Sequence, residues 1–308
     1  MQLSRLRKRK GEFKKNAELF GLSLPGILYL LIFAYMPMFG IMIAFKNYRY
    51  DQGILGSEWV GLKNFEFLFA SENAWRITRN TIMYSLSYII IGTLLALLLA
   101  VLLSQISKHW VKVHQTVLFL PYFVSWVVVG YVALGFLDHV SGYLNQAIAY
   151  FGLEPKQWYF DNGAWPYILV IVHEWKTIGF STLIYFAGIM GLNQDYYEAA
   201  RIDGASNLQM TMKITLPLLV PLITIMLILS LGGIFRGDFG LHYFVPNNSA
   251  LVYPTTDVID TYVFRALREL GDIGMSSAAG VYQSVVGFIL VLTANFIVRK
   301  INEENSLF

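Results

Sequence analysis

The chain has 308 residues, of which 56% are hydrophobic and 14% charged, with a formal charge of +3 and no cysteine. Soluble domains carry roughly 45–50% apolar and about 25% charged residues, so composition excludes an ordinary soluble protein and predicts an integral membrane one. The missing thiols exclude a disulfide scaffold and thiolate metal sites.

The first fifteen residues hold seven cations, Arg5, Arg7, Lys8, Arg9, Lys10, Lys14 and Lys15. Such a run fits nucleic acid or a signal peptide in isolation. Beside an apolar stretch it reads as a cytoplasmic anchor, and nucleic acid is not expected as a partner. No small-residue cleavage site follows, so the first apolar run is expected to be retained.

A spanning helix needs ~20 mainly apolar residues. Six runs qualify: 19–45, 78–103, 113–137, 165–190, 217–236 and 275–298. The expected fold class is therefore all-α, a polytopic membrane protein with six transmembrane helices. Pro25 and Pro37 predict a kinked first span, Pro121 lies in the third, and Pro217 and Pro221 open the fifth. Thirteen cations fall in segments on the side of the N-terminus and nine on the other, a bias that places both termini in the cytoplasm.

Two further segments have helical apolar spacing. In 58–69 these are Trp59, Leu62, Phe65, Leu68 and Phe69, a stripe suited to an interfacial helix. In 255–271 they are Val258, Ile259, Tyr262, Val263 and Leu267. Both are expected to cap the bundle rather than bind a ligand.

The fourth run carries His173, Glu174 and Lys176 near its middle. A charge at the bilayer centre costs ~2.5–3.5 kcal/mol on insertion scales, so these side chains should face protein or water. At 3.6 residues per turn His173, Lys176, Thr177 and Phe180 share a face, while Glu174 points elsewhere and needs a partner on another span. Lys176 is thus either a substrate contact or half of an interhelical ion pair. Arg236, at the end of the fifth run, either snorkels to water or joins the pathway.

Between the fourth and fifth runs, Glu198 to Pro217 is polar and reads as helix, Asp-Gly turn, helix. Asp195 with Glu198, and Ser206 with Gln209, have capping-box spacing, and Gly204 supplies the reversal. A folded loop at a membrane surface predicts a docking element. Chemistry is otherwise missing: there is no phosphate-binding Gly-rich loop, zinc-protease helix or nucleophile elbow. His109, His114, His139, His173 and His242 are scattered, so no metal site and no catalytic residue is expected.

Glu198-Ala199-Ala200, two variable residues, Asp203-Gly204-Ala205 and the later Leu216-Pro217 pair resemble the "EAA" loop of membrane subunits in binding-protein-dependent ABC importers. Trp59-Val60-Gly61-Leu62-Lys63-Asn64-Phe65 and Phe119-Leu120-Pro121 resemble the same family in the same order, in its maltose-type oligosaccharide branch. The resemblance implies a cytoplasmic N-terminus over 1–18, a six-span permease domain over 19–298 with a coupling loop at 191–217, and a cytoplasmic tail over 299–308. It assigns ATPase coupling to Glu198, Ala199, Ala200, Asp203, Gly204 and Ala205. It places His173, Lys176, Thr177 and Phe180 in the substrate pathway, with Ser230, Arg236 and Asp238 on the fifth span.

The partners so implied are a second, different permease subunit, two ATPase subunits holding ATP and Mg, and an extracellular solute-binding protein. This chain would bind no cofactor and sit in the cytoplasmic (inner) membrane. Two cations in the pathway suit a uronic-acid oligosaccharide. The alternatives are an amino-acid or ion permease, or a non-transport scaffold using the same docking loop.

Overall fold

The computed structural model describes residues 16–70 and 72–301. The expected cytoplasmic ends therefore lie outside the described residues over 1–15 and 302–308. The chain divides into two compact units, Met1–Glu66 with Asp272–Val281, and Phe67–Gly271 with Tyr282–Phe308.

In the first unit, α1 (Ala17–Leu30) runs through Pro25 into a π-helical turn, Leu31–Tyr35, and a 3-10 stretch, Met36–Phe45. The change of winding comes just before Pro37, which lacks the N–H that would continue an α ladder. Strands β1 (Lys46–Asn47) and β2 (Glu58–Trp59) follow as a two-residue antiparallel pair. Asn64 fixes this ladder by donating its Nδ2 hydrogens to the carbonyls of Ala44 (3.0 Å) and Lys46 (2.9 Å). The helix expected over 58–69 is not formed. The ladder takes the backbone of Glu58–Trp59, Gly61 turns it at φ +62°, and only short turns, Lys63–Phe65 and Phe67–Ala70, remain helical.

In the second unit, α2 (Glu72–Gln105) packs along α6 (Trp165–Met190). Ala96 and Ala100 let the helices approach, and Tyr185, Ile189 and Leu219 fill the seam. The third apolar run is not one straight span. Helix α3 (Lys108–Phe119), continued by a 3-10 turn, Leu120–Phe123, that holds Pro121, meets α4 (Trp126–Leu137) at 97° across the extended residues Val124 and Ser125. A short helix α5 (Tyr143–Tyr150) follows. After α6 come α7 (Asp195–Ile202) and α8 (Asn207–Met210), then α9 (Leu216–Gly232), α10 (Phe239–Phe244) and α11 (Ile259–Arg265). Helix α12 (Ile273–Ile301) closes the chain and contributes to both units.

Four helical stretches are long and apolar enough to cross a membrane among the described residues: Glu18–Phe45, Asn73–Gln105, Asn207–Gly232 and Ile273–Lys300. The bent pair α3–α4 makes a fifth if it counts as one. Helix α6 is about 39 Å long at 1.5 Å per residue, but His173, Glu174 and Lys176 lower its apolarity. Length and composition alone therefore do not reach six.

The 255–271 stripe is helical from Ile259 through a π-turn, Ala266–Leu270, and its Ile259 and Val263 are buried. Arg265 pairs with the buried Asp257 at 2.6 Å and lies over the Tyr253 ring at 3.9 Å, which makes this segment a locked cap.

Candidate functional site

The loop expected to dock a partner is built by local hydrogen bonds. Helix α7 ends with Ala205 N–H donating to the Ala200 carbonyl (2.9 Å) and Gly204 N–H to Arg201 (3.1 Å). This pair of bonds needs a left-handed residue, and Gly204 has φ +77°. Ser206 then caps α8 reciprocally: Gln209 N–H donates to its hydroxyl (3.3 Å) and Gln209 Oε1 accepts from its N–H (2.8 Å). The other expected cap differs. Asp195 is itself the first helical residue, and its N–H donates to Asn193 Oδ1 (3.0 Å). Spacing alone missed Asn193 because two capping residues stand two apart.

Glu198, Ala199, Asp203 and Gly204 are exposed, and Ala200 and Ala205 half-buried. Glu198 makes no ion pair among the described residues. The same loop carries bare apolar side chains, Ile202 at 87% and Leu208 at 72% exposure. A surface with an unpaired carboxylate and exposed aliphatics is built to be covered. Beneath it, Tyr197 hydroxyl bonds Thr215 Oγ1 (2.9 Å) at the edge of a cavity of about 220 Å³ that also reaches the ends of α2 and α6.

A second cavity, about 190 Å³, opens between α2, α6 and α9. It is lined by Tyr88, Gly92, His173, Glu174, Thr177, Ser181 and Ser230, among others. His173, Thr177 and Ser230 from the expected pathway thus meet there. Glu174, expected to face elsewhere, also lines it, and so does Ser181, one turn on from Thr177.

Lys176 and Phe180 do not line this cavity. Lys176 is 8% exposed and donates to the Tyr122 carbonyl at 2.8 Å, with its ammonium over the Tyr122 (5.3 Å) and Trp126 (5.1 Å) rings. Phe180 stacks on Tyr122 at 5.1 Å. Both brace the break between α3 and α4, where Gly179 allows the backbones to touch: a Cβ there would overlap the Leu118 carbonyl. Sequence spacing cannot find this role, because a carbonyl freed by a helix break is invisible in it. Asp238 caps α10 by accepting from Leu241 N–H (3.2 Å), and Arg236 is exposed. Neither lines the cavity.

The described residues contain no group of three or more His, Cys, Asp or Glu side chains able to hold a metal ion. Residues 89–303, which include the α7–α8 loop and, apart from Tyr88, the named lining of the second cavity, match the family of binding-protein-dependent transport system inner membrane components. The chain belongs to that family. Its resemblance to sugar-importing ABC permeases of the oligosaccharide branch extends over nearly its whole length.

The chain is 38% identical to the polygalacturonan/rhamnogalacturonan transport system permease protein YteP of Bacillus subtilis, covering 93% of this chain and 89% of that one. It is 28% identical to the trehalose/maltose permease protein MalF of Thermococcus litoralis over 90% and 91%. A chain in the crystal structure of a bacterial ABC transporter involved in import of the acidic polysaccharide alginate superposes with a TM-score of 0.86. The identity is 32%, covering 96% of this chain and 99% of that one. The permease is a multi-pass membrane protein.

Proposed function

We propose that this permease serves an ATP-driven importer of a uronic-acid-containing oligosaccharide. One observation carries the cargo: proteins 38% and 32% identical over nearly the whole chain are named for pectic and alginate polysaccharides, both acidic. Cations in the pathway do not carry it, since Lys176 is engaged by a carbonyl and two rings.

An extracellular solute-binding protein delivers the sugar, in keeping with the alginate transporter that was crystallised with its oligosaccharide-bound periplasmic protein. A second, different permease subunit completes the central site, and two ATPase subunits bind ATP and Mg, so this chain needs no cofactor of its own. Six spans, with α6 and the α3–α4 pair each counted as one, put both termini and the α7–α8 loop in the cytoplasm. Closure of the ATPase pair then pulls on α7–α8. Because α8 continues through the π-turn Thr211–Thr215 into α9, the pull reaches the wall of the sugar cavity along one rod.

The test is reconstitution with the co-purifying subunits and binding protein. Trigalacturonate should stimulate ATP hydrolysis and accumulate in proteoliposomes, whereas amino acids and metal ions should not. Stimulation by neutral oligosaccharides alone would refute the acidic cargo.

A further inference from the structure

The sugar-cavity wall has a hydrogen-bonding polarity that follows from where its hydrogens are spent. Thr177 hydroxyl donates to the His173 carbonyl (2.9 Å), and Ser230 hydroxyl donates to the Met226 carbonyl (2.8 Å). A carbonyl can only accept, so both hydroxyls are left with lone pairs alone. His242 Nδ1 lies 2.8 Å from the Thr256 carbonyl and must carry the hydrogen there. Its Nε2 is then the acceptor for the Tyr88 hydroxyl at 3.1 Å, which spends that hydrogen too.

His173 is fixed in the same way by its neighbours. Its Nδ1 faces Glu174 Oε1 at 3.2 Å and Thr177 Oγ1 at 3.5 Å, and the Thr177 hydrogen is already committed. Nδ1 therefore carries a hydrogen and donates it to Glu174. Tyr88 holds the ring in place by stacking on it at 3.8 Å.

Glu174 is 6% exposed, and its second oxygen, Oε2, has no hydrogen-bond partner among the described residues. Gly92 leaves room for it; a Cβ there would stand 2.9 Å from Oε2. No lysine or arginine lines the cavity. Oε2 is open to the cavity rather than enclosed by protein, so the donor that satisfies it comes from there.

We infer that Glu174, with Tyr88, Thr177 and Ser230, forms an acceptor wall that reads the hydroxyl hydrogens of the cargo. An ionised carboxylate offers only acceptors and is repelled by Glu174, so an acidic oligosaccharide presents its hydroxyl edge to this subunit and turns its carboxylates to the partner permease. This deepens the proposed function and rests on the cargo being a sugar.

The experiment compares uptake of trigalacturonate and of its fully methyl-esterified, uncharged form by the reconstituted complex, per assembled complex. Glu174→Gln exchanges one acceptor oxygen for a donor and removes the charge. Uptake of the ester should fall about ten-fold or more, as for loss of one hydrogen bond to a charged group. Uptake of the acid should fall less, because repulsion is relieved as well. The acid-to-ester ratio thus rises several-fold. Gly92→Ala, whose Cβ crowds Oε2 at 2.9 Å and Oε1 at 3.3 Å and so displaces the whole carboxylate, should lower ester uptake while assembly is unchanged.

A merely structural Glu174 lowers both sugars by one factor, and that result, or no change in either, would overturn the inference. The two readings fail separately. A wild-type complex that moves the ester alone refutes the acidic cargo, and the wall is then judged on whether Glu174→Gln lowers ester uptake at normal yield. A wild-type complex that moves neither sugar overturns both.

Discussion

Single side chains in this permease do more than their residue types advertise. Lys176 looks like a cargo cation in a membrane helix, yet its hydrogen bond to the Tyr122 carbonyl ties α6 to a break in the neighbouring span. Lys176→Met removes that donor and leaves the carbonyl unsatisfied, which costs about 1–3 kcal/mol. The variant should melt at lower temperature in detergent and lose activity equally with every sugar. A normal melting temperature with selective loss of acidic-sugar uptake would restore Lys176 to the pathway. His242, outside the spans, is fully enclosed, and burial pushes its pKa from 6.5 down to about 4. Because the folded-state value is depressed, the unfolded chain binds the proton more readily between these limits. Stability should thus be constant above about pH 6.5 and fall as pH drops towards 4. His242→Asn should flatten that slope, measurable as melting temperature against pH.

At the scale of elements, the α7–α8 loop is rigid by its own hydrogen bonds and joined end to end with α9. The proposed transmission to α9 needs the left-handed turn at Gly204. Gly204→Val places a β-branched residue at φ +77°, where only glycine sits without strain. It should leave membrane insertion intact and reduce sugar-stimulated ATP hydrolysis severely. Glu198→Lys, at an exposed carboxylate with no ion pair among the described residues, should weaken assembly with the ATPase subunits by about 2–5 kcal/mol, the usual cost of breaking one side of a buried interfacial charge pair. Co-purification of the ATPase checks it. Wild-type yield of complex with both variants would remove the loop from coupling.

At the scale of the molecule, orientation is the quantity on which the mechanism depends. The chain has no native thiol, so single cysteines report cleanly. Ser57 is a poor site, buried at 3% exposure with its hydroxyl bonded to the Gly53 carbonyl. Exposed Glu154 and Ser107 serve instead. An impermeant thiol reagent should label Glu154→Cys on intact cells (spheroplasts if a wall intervenes) and Ser107→Cys only after permeabilisation. The reverse pattern would put α7–α8 on the wrong side for an ATPase.

The sequence by itself determined that the chain is helical and embedded in a membrane, where the helix-turn-helix of α7–α8 lies, and which family it joins. Those properties rest on composition and on interactions within a few residues: apolar runs, the Ser206–Gln209 cap, and a glycine at a turn. Local physics is enough for them. The tertiary structure alone decided the 97° break near Pro121 and the withdrawal of Lys176 from the cavity. It also decided the failure of the 58–69 helix, whose backbone is claimed by a strand twelve residues upstream. The acceptor wall belongs to the same class. The hydrogen on the Tyr88 hydroxyl is committed by His242, 154 residues away, and no periodicity along one helix can show where a partner on another helix will spend it.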